Sequence, residues 1–267
     1  MKKIAILLFF FLALLVSPFS LPAYDYSPSN WKVIPECIWA PATGGGTWVT
    51  EIELTSMSAT ATVQVFFCYG GGLKRGSFTL VANLALYHSV KYSNILQTID
   101  ALDSGAFTYY GKVGAVFFYT LGPTFQVTAK TINGNYGKTF PGLSDHVAAN
   151  TAATGRYMRI TNLVNNAAYR TVTGFFNTSN LYVYTVTFTI FTSSYGVAGS
   201  SFTKTFGCWE YMAFNPFVQA GVGGGTYDNC WLFINVTGSI SDHGIMCYGA
   251  IANNISNDPS AIIAYPY

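Results

Sequence analysis

The stretch Tyr182-Val183-Tyr184-Thr185-Val186-Thr187-Phe188-Thr189-Ile190-Phe191-Thr192 decides the fold class. Val186, Phe188 and Ile190 fall on one side, and Thr185, Thr187 and Thr189 on the other. Successive side chains of a strand point to opposite faces, so a period of two gives one buried and one wet face. Branched and aromatic residues also suit the pleated backbone. The same phase recurs in Thr62–Tyr69, with Val63, Val65 and Phe67 on one face. It recurs in Thr124–Thr131, where Phe125, Val127 and Ala129 alternate with Gln126, Thr128 and Lys130. Glycine clusters at 44–46, 70–72 and 223–225 punctuate the strands as turns. No stretch keeps a helical period over three turns. Single helical turns are expected near Asn94–Ala101 and Pro216–Ala220. The chain reads as all-β.

A repeat runs through it at a spacing near 120 residues. Trp48-Val-Thr-Glu-Ile-Glu-Leu-Thr-Ser lies against Tyr169-Arg-Thr-Val-Thr-Gly-Phe-Phe-Asn. Val63, Val65 and Phe67 match Val186, Phe188 and Ile190. Gly76-Ser-Phe-Thr matches Ser200-Ser-Phe-Thr, and Thr128–Asn133 matches Tyr248–Asn253. Hydrophobic phase and turn placement agree while identity is low. The reading is two antiparallel β-sandwich modules, 31–141 and 156–267, joined by a linker at 142–155. A single larger sandwich or barrel is the alternative.

The second module carries a family resemblance. Tyr169-Arg170-Thr171, then Phe176-Asn177, then Ala252-Asn253-Asn254-Ile255-Ser256-Asn257-Asp258-Pro259 resembles a tandem module of secreted bacterial proteins. There an Arg-Thr opens the first core strand, an Asn follows it, and an Asn-x-x-Thr-Gly-Asp-Pro-like turn closes the module. Here Ser256-Asn257 stands where Thr-Gly would, and the first module has Val49-Thr50 in place of Arg-Thr. The likeness is best over 140–267. It implies immunoglobulin-like sandwiches and no defined activity.

The N-terminus reads as an address. Lys2 and Lys3 precede an apolar run, Ile4–Val16, which Ser17-Pro18 ends, and Ala23 offers a cleavage site. This is the pattern of a bacterial-type secretory signal peptide over 1–23. The run is too short for a bilayer core, which needs about 20 residues. Residues 24–30 form an N-terminal extension. Removing 1–23 takes away two lysines and no acid, leaving 11 basic and 11 acidic side chains. The expected location is extracellular or at the cell surface.

Composition excludes several classes. Hydrophobic residues make up 51% and charged residues 9% of the chain, so disorder is ruled out. No basic cluster exists to neutralise a phosphate backbone, which excludes a nucleic-acid binder. A neutral surface with few charges also lacks the usual repulsion between copies.

No catalytic constellation emerges. His88 sits in an expected strand, while His146 and His243 follow Asp145 and Asp242 in linker or turn context. Neighbouring Asp-His residues point apart, and no Gly-x-Ser-x-Gly nucleophile turn occurs. Glu51 and Glu53 share one strand face and are expected to be solvated. A glycosidase needs its two carboxyls opposed across a cleft of about 5–9.5 Å. Asn253, Asn257 and Asp258 supply one carboxylate, a poor start for calcium. His243, Cys247 and Cys230 lack a fourth ligand for zinc. Gly44-Gly45-Gly46 precedes a strand, not a phosphate-binding helix. The sequons at Asn177, Asn235 and Asn254 read as chance in a chain rich in Asn, Ser and Thr. No cofactor or metal is expected.

The five cysteines, 37, 68, 208, 230 and 247, belong to a chain sent to an oxidising place. With 229–236 and 244–253 as a hairpin turning at Gly238-Ser239, Cys230 and Cys247 would lie opposed, within reach of a bridge. Cys37–Cys68 is the second expected pair, leaving Cys208. The tyrosines, among them Tyr109, Tyr110, Tyr182, Tyr184, Tyr195, Tyr211, Tyr248, Tyr265 and Tyr267, exceed what two cores hide. Some are expected at the surface, where they suit protein contacts and sugar rings alike.

These readings converge on a secreted, non-enzymatic structural protein whose partners are copies of itself, in an extracellular filament, coat or matrix. Residues 24–41 carry Pro28, Pro35 and Pro41, as an edge strand would. Docking of this segment on a neighbouring subunit by strand addition, with Trp31, Ile34 and Trp39 as anchors, is one mechanism. Its serving as the first edge strand of its own module is the other. The functional alternative is a glycan-binding or adhesion module using surface aromatics.

Overall fold

The structure is a computed structural model; it describes residues 29–42, 45–143, 157–238, 244–255, 259–263 and 265–266. The chain is all-β with antiparallel sheets. Its first half runs β1 (Trp31–Pro41), β2 (Thr47–Ser56), β3 (Ala61–Tyr69), β4 (Leu73–Leu84), β5 (Ser89–Tyr92), α1 (Ile95–Leu102), β6 (Lys112–Tyr119), β7 (Phe125–Asn133) and β8 (Tyr136–Pro141). The second half runs β9 (Tyr157–Asn165), β10 (Tyr169–Asn177), β11 (Tyr184–Phe191), β12 (Phe202–Phe206), β13 (Tyr211–Phe214), α2 (Pro216–Gln219), β14 (Tyr227–Gly238), β15 (Ile245–Asn253), β16 (Pro259–Ile263) and β17 (Tyr265–Pro266).

The two halves share one strand plan. The second builds sheets β13-β10-β15-β16 and β12-β11-β14-β9-β17. The first builds β4-β3-β6-β1-β2-β7-β8 with β5 also on β2. Cut between β1 and β2, it gives β4-β3-β6-β1 and β5-β2-β7-β8, the same orders apart from the added β17. What joins these layers into one sheet is a short ladder, Trp39–Pro41 against Val49–Thr47. The first half therefore differs from a sandwich of two separate sheets.

Local details repeat as well. Asn94 caps α1 by accepting from Gln97 N, and Asn215 caps α2 by accepting from Phe217 N. Thr50 Oγ1 accepts from Ile38 N at 2.9 Å, and Thr171 Oγ1 accepts from Val164 N at 3.0 Å. Each threonine ties the second strand of its half to the first.

Inward positions follow the period of two. Val63, Val65 and Phe67 of β3 and Val127 and Ala129 of β7 fill the first core; Val186, Phe188 and Ile190 of β11 fill the second. The first cluster also takes in Phe176, Tyr211, Met246 and Tyr248 from the second half. Sheet β13-β10-β15-β16 is thus covered on both faces.

Two sequence expectations are corrected here. Trp31, Ile34 and Trp39 are not anchors on a free arm. They lie on β1, a central strand paired with β6 from Trp31 to Trp39 and with β2 at its end. Ile34 is fully buried, Trp31 stacks on Phe117, and Trp39 meets Tyr110 edge-on. Pro35 is tolerated inside the sheet because the β1–β6 register shifts between Ile34 and Cys37, so no ladder bond is required of its missing N–H. The residues 24–28 of that segment lie outside the described residues.

The disulfide pairs are corrected too, since all five cysteines are free. β14 and β15 do not form a hairpin. β14 pairs with β11 and β9, whereas β15 pairs with β10 and β16, so Cys230 and Cys247 sit on different sheets. Cys37 and Cys68 face Gly114 and Ala115 across opposite edges of β6. An intervening strand puts their backbones about 9–10 Å apart, beyond a bridge's reach.

Candidate functional site

The most elaborate polar arrangement lies where the halves meet. The register shift of β1 falls at Glu36, whose side chain is buried. Lys138 of β8 reaches it, Nζ to Oε1 at 2.5 Å, with both side chains nearly buried. The Tyr248 hydroxyl of β15 donates to the other carboxylate oxygen, and Tyr211 of β13 shares a 2.8 Å hydrogen bond with Tyr248. Lys138 Nζ also stands 5.3 Å from the Phe140 ring centroid and 5.4 Å from that of Tyr248. Burial, then the Glu36 carboxylate, raises both tyrosine hydroxyls well above their ordinary pKa. Tyr248 needs its neighbour to be glycine: a Cβ at Gly174 would overlap the Tyr248 ring.

A second, aromatic contact lies beside it. Trp209, in the turn between β12 and β13, meets Phe66 and Phe117 edge-on at 5.2 and 4.9 Å and stacks on Phe176 at 6.3 Å. Phe117 meets Phe176 at 5.2 Å. Lys74 Nζ stands 4.0 Å from the Phe66 centroid and 5.5 Å from that of Trp209. Trp209 has φ +58°, a left-handed conformation costly for a bulky residue. Next to the ion pair a cavity of about 190 Å³ is lined by Ile38, Trp48, Val172, Ala250, Lys138 and Arg170.

Other sequence candidates do not converge. Glu51 and Glu53 are half-buried on the outer face of β2, and Glu53 pairs with Lys91 at 3.4 Å. His88 is exposed in the turn before β5 rather than in a strand. His146 and His243, with Asp145 and Asp242, lie outside the described residues, as do Asn257 and Asp258. Asn253 Oδ1 accepts from Ile255 N, closing a local turn. Cys247 lies in the second core, its Sγ 3.7 Å from Met158 Sδ. Cys208 is half-buried, its Sγ directed at the Tyr182 carbonyl.

The residues of the family resemblance take structural jobs. Arg170 donates to Asn254 Oδ1 at 3.0 Å, joining the two ends of the motif. Asn177 is wholly buried; its amide donates to the carbonyls of Tyr182 at 2.8 Å and Gly207 at 2.9 Å, and its Oδ1 accepts from Ser179 N. A sequon asparagine so engaged presents nothing at the surface.

The tyrosines divide. Tyr110 and Tyr195 are exposed, as expected of a surplus, but Tyr109, Tyr184, Tyr211 and Tyr248 are buried. The contact between the halves absorbs two of them. A signal for that contact stands in the sequence. Phe66-Phe67, Phe117-Phe118 and Phe175-Phe176 place aromatics at adjacent positions, so both faces of those strands must be covered. Glu36, Lys138 and Trp209 carried no comparable mark.

Besides the outer side of β5-β2-β7-β8, a second broad face stays open among the described residues, that of sheet β12-β11-β14-β9-β17. It carries Thr185, Thr187 and Thr189 beside Thr203 and Ser201. Next to them lie the stacked pairs Phe191–Trp231 and Tyr157–Phe233, with Arg159 5.8 Å from the Trp231 centroid.

No family model matches the chain, and no curated protein matches it. Solved structures give weak likenesses. A calcium-binding mutant of Bacteroides uniformis beta-glucuronidase 2 is 11% identical at TM-score 0.16, over 92% of this chain and 27% of that one. The infectious bursal disease virus VP2 subviral particle is 11% identical at TM-score 0.23, over 91% and 72%. A Pleurotus ostreatus lectin in complex with GalNAc is 9% identical at TM-score 0.20, over 90% and 84%. Likenesses at this level carry no argument about function.

Proposed function

We propose that this chain is a secreted, non-enzymatic structural protein that associates with copies of itself into an extracellular filament, coat or matrix. One observation carries the reading. Two modules of one strand plan are stacked face to back: the outer face of β4-β3-β6-β1 receives the outer face of β13-β10-β15-β16. Such a contact joins unlike surfaces of like bodies. It leaves one surface of each kind over, and contacts of this type propagate unless a rotation closes them. A mature chain with equal numbers of acids and bases opposes that weakly. Protein lacking residues 1–23, concentrated and viewed by negative stain and by sedimentation velocity, tests the reading. Polymers or large oligomers are expected; a monomer at every concentration and salt overturns it.

A second reading is a glycan-binding or adhesion module. The observation favouring it is the open face with Tyr157, Trp231 and a threonine ladder, apolar rings beside hydroxyl donors. Retention of a monomer on insoluble polysaccharide, lost in Trp231→Ala, is its signature.

A further inference from the structure

The shared strand plan fixes which residues of the two halves are equivalent. β3 and β11 match at Val65 and Phe188. Val65 faces Phe118 of β6, and Phe188 faces Ile234 of β14. Their neighbours Phe117 and Phe233 therefore correspond. On the next strand Val33 faces Phe117 and Arg159 faces Phe233, while Trp31 faces Tyr119 and Tyr157 faces Asn235. So Arg159 stands where Val33 does, and Tyr157 where Trp31 does. In the first half this face is covered by the second half. In the second half the same face, aromatic in the same place, is open.

The complementary surface is read in the same way. Thr50 and Thr171 make the same bond, and their ladders run in step. Glu51 faces Lys130 where Val172 faces Ala250, and Glu53 faces Thr128 where Gly174 faces Tyr248. The back of the first half is thus polar at the positions where the back of the second half is apolar. The open front has changed in the same sense, from Val33 to Arg159.

We propose that a second copy of this chain lays its β5-β2-β7-β8 outer face on sheet β12-β11-β14-β9-β17, in the pose that the second half already takes on the first, with Glu53 of one copy meeting Arg159 of the other. Within the chain Phe117 meets Phe176, one side-chain position along the strand from Gly174. The counterpart of Gly174 is Glu53, and the counterpart of Glu36, against which the Gly174 site lies through Tyr248, is Asn162, three positions from Arg159; Glu53 therefore reaches Arg159 as an extended side chain, released from its 3.4 Å pair with Lys91. The polarity fits the order of events. The contact inside the chain forms on folding and is dry, whereas the contact between copies must be soluble before it forms. Repetition gives a head-to-tail filament with two modules per step. This inference rests on the self-association reading.

Charge exchange tests it on protein lacking residues 1–23. Arg159→Glu and Glu53→Arg each place like charges together, and each is expected to raise the concentration for assembly about tenfold or more. Both residues are solvent-accessible, and Glu53→Arg gives up a surface pair with Lys91, so thermal unfolding of each variant is expected to fall at most slightly below the parent. The two variants mixed, and the double variant alone, are expected to assemble again, because each mixed contact restores a Glu–Arg pair. Parent and both single variants assembling at one threshold overturns the assigned faces and leaves the general reading standing. Failure of the mixture and the double variant to recover also overturns it. A parent that stays monomeric overturns both.

Discussion

The hydroxyl of Tyr248 donates to the carboxylate of Glu36, 212 positions earlier and in the other half of the chain. The same carboxylate is held by Lys138, so one buried acid ties together three strands and both halves. Removing only the cation leaves that acid buried without its partner. Lys138→Met is expected to cost about 3–5 kcal/mol in urea unfolding. The double variant Glu36→Gln with Lys138→Met is expected to cost clearly less than the two single losses combined. Additive losses would show that the pair is not coupled.

Trp209 is the aromatic counterpart of that bond. Trp209→Ala removes ring contacts to Phe66, Phe117 and Phe176 together, and a loss of about 3 kcal/mol is expected. Because those rings belong to opposite halves, calorimetry is expected to change from one transition to two as the halves uncouple. A lower but still single transition would mean that the polar contact alone couples them.

Asn177 sits where β10 leaves for β11, and its amide donates to the carbonyls of Tyr182 and Gly207 in the turns beside it. Asn177→Ala removes that donor and leaves the Tyr182 carbonyl to the weak Cys208 thiol and the Gly207 carbonyl to Glu210 N alone, and about 1–3 kcal/mol is expected to be lost. The equilibrium midpoint in urea measures it. Asn177→Asp, which keeps the shape and removes the donors, is expected to lose at least as much.

Alkaline pH should act on the contact between the halves. Burial, with the Glu36 carboxylate, raises the hydroxyls of Tyr211 and Tyr248 above the ordinary tyrosine value of about 10. A raised acid favours the folded state while it stays protonated. Its contribution is therefore complete below about pH 10 and lost as pH climbs towards the folded value. Tyrosinate absorbance is expected to show a fraction that titrates only as the protein unfolds. Smooth titration of every tyrosine near the ordinary value, with the fold intact, would contradict it.

Thiol chemistry checks the cysteines. Native protein is expected to release five thiols on denaturation without reductant, with Cys208 reacting first because Cys37, Cys68, Cys230 and Cys247 are buried. Burial also raises the thiols of Cys37 and Cys247, which slows them further. Recovery of one thiol would mean that bridges form after all.

By itself the sequence determined the all-β character and the inward residues of the strands. Period and propensity act within a few residues, so Val63-x-Val65-x-Phe67 and Val186-x-Phe188-x-Ile190 name their inner face without outside help. It also marked the place of both helices, where Asn94 and Asn215 accept from backbone N–H groups a few positions on, although α1 runs eight residues and not the single turn expected. Partners across space were decided only in the tertiary structure. Cys230 and Cys247 are close in sequence and alternate correctly for a hairpin, yet β14 finds β11 and β9, and β15 finds β10 and β16. Which edge a strand takes depends on the summed burial of whole faces. The burial of Glu36, Lys138, Tyr211 and Tyr248 is of the same kind, since the surface that hides them belongs to the opposite half of the chain.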